Sequence, residues 1–409
     1  MSKKILSMLL VCVMCISACF MLASCGEDEL PVELTPVAKA DLKVGFICLH
    51  DENSTYDKNF IVAALEATEA LGLTDAQVIM KYNVPESEAC YEAAADLVDQ
   101  GCQVVFANSF GHEQYMIQAA KDFPTVQFCH ATGTKSHTTT LANFHNAFAA
   151  IYEGRYLAGV AAGLKLNAMI LAGDITAAQA KIGYVGAFPY AEVVSGYTSF
   201  FLGARSVCPT ATMDVRYTNS WYDEAAEKEA ANALIQGGCK LISQHADSMG
   251  APTACETAGV PNVSYNGSTI AAGPNTFIIS SRINWAPYFD MMMKSVMAGI
   301  KIQDNFCGGF AEGSVELSEI NTAVAAPGTA EILAEVKAEL IAGTRKVFDT
   351  DTFTVNGKKV TTYLADVNDR GDFVGETEVI SDGYFHESEY RSAPYFDLRI
   401  DGITELNNN

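Results

Sequence analysis

Lys181 to Arg205, reading KIGYVGAFPYAEVVSGYTSFFLGAR, places two patterns side by side that few folds accommodate. Ile182 to Val185 is a short apolar run bounded by Lys181 and Gly186, which suits a strand buried on both faces. Pro189 cannot sit inside a central strand, so the run must end before it. From Glu192 the apolar residues Val193, Tyr197, Phe200 and Phe201 recur at helical spacing up to Arg205. A buried strand, a tight loop and a helix make half of a βαβ unit. In open α/β sheets the ligand sits at the carboxyl ends of the strands, here the loop carrying Phe188.

The same alternation runs through most of the chain. The spacing predicts strands at Val44–Leu49, Val78–Tyr82, Val104–Ala107 and Val126–Cys129, with helices ending near Leu71, Gln100 and Asp122. It restarts with a helix over about Ala147–Leu166. Strands follow at Ile182–Val185, Met213–Tyr217, Lys240–Gln244 and Thr276–Ser280, and helices at Glu224–Gln236, to about Ala258, Tyr288–Ala298 and Glu331–Ala342. Two α/β blocks of similar size predict two doubly wound lobes. A chain of 409 residues is long enough for both. From about Thr350 it turns polar and short-stranded, with Asn356-Gly357 as a hairpin turn; this extension is expected to form a short sheet covering a lobe.

The amino-terminal residues read as a lipoprotein signal. Lys3 and Lys4 precede an apolar run from Ile5 to Leu22, and Leu22-Ala23-Ser24-Cys25 resembles a bacterial lipobox. Residues 1–24 would then be removed, Cys25 would carry the lipid, and 25–40 would be a flexible tether. The formal charge is −23, and loss of Lys3 and Lys4 makes it more acidic still, so nucleic acid is excluded as a partner. Of twelve cysteines, Cys12, Cys15 and Cys19 leave with the signal. The eight beyond Cys25 are scattered through apolar runs without paired spacing, and are expected to be small buried hydrophobes rather than zinc ligands or a disulfide framework.

Several runs together resemble one family. They include Ala107-Asn108-Ser109-Phe110-Gly111, Phe128-Cys129-His130-Ala131-Thr132-Gly133 and Tyr152-Glu153-Gly154-Arg155. Ala187-Phe188-Pro189, Asn219-Ser220-Trp221-Tyr222-Asp223, Gln244-His245-Ala246-Asp247-Ser248 and Asn284-Trp285-Ala286-Pro287-Tyr288 follow in order. Over roughly residues 43–345 the chain resembles the basic membrane protein family of substrate-binding lipoproteins that serve ABC importers. The resemblance implies a type I periplasmic-binding-protein fold, with a three-strand hinge near His145–Asn146, Ser281–Asn284 and Gly308–Gly313. Lobe one would then comprise 41–145 and 284–308, lobe two 146–283 and 309–349, and the extension 350–409. It further implies a purine nucleobase or nucleoside as ligand, adenine-like solutes being favoured, no cofactor, and ABC permease and ATPase subunits as partners of a monomer held to the membrane by its lipid alone.

A purine needs flat apolar walls and a few hydrogen-bonding groups on its edges. The aromatic candidates are Tyr56 in the first loop, Phe110 and Phe188 at strand exits, and the two tryptophans, Trp221 and Trp285. A sandwich between one aromatic from each lobe would link binding to closure; for each, core packing is the competing reading. Polar candidates are Asn108, Ser109, His245, Asp247, Ser248, Asn266 and Ser268, with hinge hydrogen bonding as the alternative. Relatives carry an acidic pair where this chain reads Tyr265-Asn266-Gly267-Ser268, which weakens a nucleoside relative to a free base or another solute. Glu153 and Arg155 read as structural.

Catalysis is disfavoured. His245, Asp247 and Ser248 lie too close in sequence to relay a proton in series, and no Gly-x-Ser-x-Gly elbow, P-loop or dinucleotide fingerprint is present. Seven histidines without an H-x-x-x-H pair make a metal site equally improbable. A ligand sensor for a membrane receptor would share fold and pocket with an importer component.

Overall fold

The computed structural model describes residues 34–407; the signal-like segment and Cys25 lie outside them. The chain builds two sheets with helices on their faces. The first runs in the order β11-β5-β4-β3-β1-β2, from β1 (Val44–Ile47), β2 (Val78–Lys81), β3 (Val104–Ala107), β4 (Gln127–Ala131), β5 (Phe144–Ala149) and β11 (Asn305–Gly308), all parallel. The second runs β12-β10-β9-β8-β6-β7-β17, from β6 (Lys181–Gly186), β7 (Thr212–Tyr217), β8 (Leu241–His245), β9 (Asn262–Tyr265), β10 (Phe277–Ile283), β12 (Val315–Leu317) and β17 (Ile403–Glu405), with only β12 antiparallel. The runs β1, β3, β4, β5 and β9 are buried throughout, as central parallel strands require.

Helices α1 (Thr55–Ala70), α2 (Glu88–Asp99), α3 (Glu113–Asp122) and α8 (Ala286–Ala298) cover lobe one. Lobe two carries α4 (Ile151–Ala172), α5 (Ala191–Val207), α6 (Glu224–Gln236), α7 (Gly250–Ala258) and α9 (Thr329–Ile341). Residues 147–149, expected in a helix, belong to β5, and α4 starts at Ile151. An alanine-rich buried run satisfies either period, and its place beside β4 and β11 decides for strand.

The chain passes between the lobes at Ala150, at Asn284–Trp285 and over 309–314. The first passage lies beyond His145 and Asn146, which are interior to β5. The passages are hydrogen-bonded to one another's strands: Ala150 N donates to Gly308 O at 2.9 Å, and Asn284 N to Ser314 O at 2.8 Å.

The extension does more than cover one lobe. Its hairpins, β13 (Leu364–Ala365) with β14 (Thr377–Glu378) and β15 (Ile380–Ser381) with β16 (Tyr384–Phe385), pack on a Phe348–Phe396 stack. Its final strand, β17, pairs in parallel with β7 at the edge of the lobe-two sheet. Thr134 and Asn305 of lobe one hydrogen-bond Asp369 and Ser392 of the extension.

Cys48, Cys90, Cys102, Cys129, Cys208, Cys239 and Cys255 are buried, Cys307 is half-buried, and all eight are free thiols. Burial pushes the thiols of Cys129, Cys239, Cys255 and Cys307 up to about 12. Among the described residues no helix is long and apolar enough to cross a membrane.

Candidate ligand-binding site

The cleft closes on a narrow cavity of about 20 Å³. Its lobe-one wall begins where β1 ends, at Leu49 and His50, and continues into the first turn of α1. Ser54 caps that helix, its side chain accepting from Asp57 N at 3.2 Å, which fixes where Tyr56 and Asp57 point. Asp57 Oδ1 accepts from His50 N at 3.0 Å and Asn108 Nδ2 at 2.7 Å. Asp57 Oδ2 is buried and has no partner in the protein. At the end of β3, Ser109 and Phe110 line the cavity; Ser109 Oγ is engaged by Glu86 at 2.6 Å.

Lobe two contributes Glu192, Trp221, His245, Asp247 and Asn266. Glu192 stands in the first turn of α5 and His245 ends β8; His245 Nε2 lies 3.5 Å from Glu192 Oε1. Burial lowers the His245 pKa, against the opposing pull of Glu192. Its ring fits because residue 196 is glycine, where a Cβ would stand 2.7 Å from Nδ1. Burial also holds the Asp247 carboxyl well above the usual carboxylate range, with Glu227 behind it adding to the effect. Asn266, in the left-handed region at φ 62°, donates through Nδ2 to Asp247 Oδ1 at 3.1 Å.

Several contacts join the lobes around the cavity, among them Thr55 N donating to Asp247 O at 3.2 Å. Thr55 Oγ1 donates to Asp247 O at 3.1 Å, and Asn59 Nδ2 to Asn266 O at 2.6 Å. The rings of His50 and Tyr222 lie 5.6 Å apart, and those of Phe110 and Tyr190 5.8 Å apart.

The structure thus brings Tyr56, Ser109, Phe110, Trp221, His245, Asp247 and Asn266 to one cavity. Five other candidates lie elsewhere. Asn108 is fully buried behind the wall, where its Oδ1 accepts from Leu49 N and its carbonyl from the Tyr56 hydroxyl. Phe188 stacks on Tyr190 at 5.0 Å and meets Trp221 edge-on at 5.1 Å, so Tyr190 is the ring that faces Phe110 across the cleft. Ser268 is exposed on the loop after β9. Trp285, 2% exposed, stacks on Phe60 at 4.4 Å in the lobe-one core. Ser248 is buried, its backbone N–H on the Glu227 carboxylate. Arg155 is buried among the rings of Tyr184, Phe200 and Tyr265 and donates to Ser264 O and Ser243 Oγ.

The cavity also holds groups the linear reading left out: His50, Asp57, Thr132 and Glu192. Asp57 and Glu192 each occupy the first turn of a helix, where an acidic residue reads as a complement to the helix dipole. Three acidic residues, Asp57, Glu192 and Asp247, thus line the cavity, although residues 266–268 carry none.

Two α/β lobes closed on a cavity and joined by three passages define the periplasmic-binding-protein-like class. Residues 46–342 match the Bmp family, described as ABC transporter substrate-binding protein PnrA-like, and the chain belongs to that family. It is 35% identical over 278 residues to a Haloferax volcanii protein named as an ABC transporter glucose-binding protein, TsgA13, covering 68% of this chain and 63% of the relative. The chain thus spans less than two thirds of that relative's length. It is 34% identical over 284 residues to a purine-binding protein of Brucella abortus, covering 69% of this chain and 76% of the relative. A solute-binding protein from Aeropyrum pernix shares the fold at a TM-score of 0.60 and 17% identity, over 75% of this chain and 93% of that one. The chain is therefore an ABC transporter substrate-binding protein. Proteins of this class act outside the cytoplasm on small molecules, alongside permease and ATPase subunits.

Proposed function

We propose that this protein captures a purine nucleobase or nucleoside, adenine-like solutes being favoured, and releases it to an ABC permease and its ATPase. The observation that carries this reading is the pairing of aromatic faces with unsatisfied polar edges. Tyr56, Phe110 and Trp221 line the same cavity as Asp57 and His245, and Asp57 Oδ2 is buried without a protein partner. A ring with amino and imino edges supplies the missing hydrogen bonds, and buried polar groups left unmade are costly. Lobe closure through Thr55–Asp247 and Asn59–Asn266 couples capture to the shape the permease meets. We further propose that Cys25 carries the lipid that holds the protein at the membrane.

A thermal-shift screen of the chain from Glu27 against nucleobases, nucleosides, sugars and amino acids tests the ligand. A ligand at a hundred times its dissociation constant stabilises by about 2.7 kcal/mol. A response to purines is expected; a response to hexoses alone would replace the purine with a sugar, whose hydroxyls the three carboxylates also suit. Palmitate labelling that persists in C25A would refute the anchor.

A further inference from the structure

The extension, residues 350–409, lies beyond the stretch matched to the family, 46–342, and it holds both lobes. On lobe two the attachment is broad. β17 adds a parallel strand beside β7, with Gly402 O accepting from Met213 N at 3.0 Å. Glu405 accepts from the hydroxyls of Tyr197 at 2.7 Å and Tyr217 at 2.5 Å. The Asn407 side chain bonds both the N–H and the carbonyl of Tyr217, at 2.8 and 2.9 Å. Phe396, fully buried, stacks on Phe348 at 4.3 Å.

On lobe one the attachment is small and polar. Thr134 Oγ1, in the loop between β4 and β5, donates to Asp369 Oδ2 at 2.6 Å. Asn305 Oδ1, at the start of β11, accepts from Ser392 N at 3.2 Å and from Ser392 Oγ at 3.3 Å. Arg391 makes these two points one unit. Its buried guanidinium donates to the carbonyls of Asp366 and Val367, just before Asp369, and of Ala393 and Pro394, just after Ser392. Only residues 393–402 separate Ser392, on lobe one, from Ile403, on lobe two. Tyr395, Phe396, Leu398 and Ile400 among them are buried, so the segment cannot lengthen without unpacking.

The inner cavity, at about 20 Å³, has room for little more than a water molecule, so a larger solute enters only when the lobes part. Parting them breaks the extension's hold on one lobe. Three hydrogen bonds on lobe one yield before a paired strand and an aromatic core on lobe two do.

We propose that the extension is a strap between the lobes. Fixed on lobe two, it latches to lobe one at Thr134 and Asn305 when the lobes are together and lets go as they part. It biases the protein toward closure, whatever solute the cleft receives.

Backbone hydrogen exchange in ligand-free protein tests it. The Thr55 amide donates across the cleft to Asp247 O at 3.2 Å and is freed when the lobes part, so its exchange reads that opening even where the open form is rare. T134V combined with S392A removes two of the latch's three donors. The Thr55 amide should then exchange about tenfold faster. Amides of the buried strand β3 should keep their rates, since they report unfolding of lobe one rather than lobe movement. A Thr55 amide exchanging at the wild-type rate in the folded variant overturns the proposal. So does an acceleration shared equally by β3, which would make these residues a general support of the fold. If the double variant does not fold, T134V alone decides by the same comparison. No outcome depends on the purine reading.

Discussion

Asn108 Nδ2 donates to Asp57 Oδ1 at 2.7 Å, and the other carboxylate oxygen of Asp57 stays buried without a partner in the protein. Asn108 Oδ1 also accepts from Leu49 N, so one buried side-chain amide positions two residues of the lobe-one wall, while its backbone carbonyl accepts from the Tyr56 hydroxyl. Asn108→Ala should cost about 1–3 kcal/mol of stability, as expected when buried hydrogen bonds lose a partner. It should also weaken ligand binding, although Asn108 does not itself line the cavity. Denaturant melts and a ligand titration on the same sample check both; a stable variant with full affinity would show that Asp57 is held without it.

Phe110 and Tyr190 meet across the cleft while remaining 38% and 45% exposed. Tyr190→Ala should therefore speed ligand release and change the unliganded melting temperature little. Trp221 lies 6.2 Å from the Tyr190 ring and Trp285 is sealed in the core, so stopped-flow tryptophan fluorescence reports on the mouth through Trp221. An unchanged release rate would remove the ring pair from the closing contacts.

Trp285 stacks on Phe60 and approaches Phe106, Phe148, Tyr288 and Phe289. Truncation to alanine should cost about 3–5 kcal/mol, as for other buried large aromatics. Trp285→Phe should retain most of that stability and full affinity, measured by urea unfolding and titration.

Glu227 is buried beneath Asp247, and burial pushes its pKa up to about 7. A carboxyl raised in the folded state favours folding in its protonated form. Its penalty is absent below the unfolded pKa and grows as pH rises from about 4.5 to about 7. Glu227→Gln should therefore gain on the wild type across that window, by up to about 3 kcal/mol at pH 8. Melts of both proteins at pH 4.5 and pH 8 read the difference; parallel curves would show that Glu227 titrates normally.

The strands were legible where apolar runs stood between turn residues, as at Ile182–Val185 within β6 and Val104–Ala107 in β3. They were obscure where the run was alanine-rich, as in β5, or broken by polar residues or glycine, as in β9, β11 and β12. Strand exits pointed to Ser109, Phe110, His245 and Asp247, because the α/β topology sends those ends into the cleft. Nothing local separates Trp221, at the cavity, from Trp285, in the core; each precedes a helix. Thr132 left no linear signal: its φ of 67° stands just before backbone that Glu113, nineteen positions earlier in sequence than Thr132, holds at Thr134 N and Lys135 N.

The parallel pairing of Ile403–Glu405 with Met213–Val215 joins segments about 190 residues apart. Until residues 403–405 are in place, β7 presents an open row of backbone donors and acceptors at the rim of its sheet. Closing so long a loop is slow, and an unclosed rim invites the matching segment of another molecule. Assembly of lobe two thus waits for a strand made long after the edge it covers. A stop codon upstream of Ile403 would remove that strand and leave a sheet edge prone to pairing between chains.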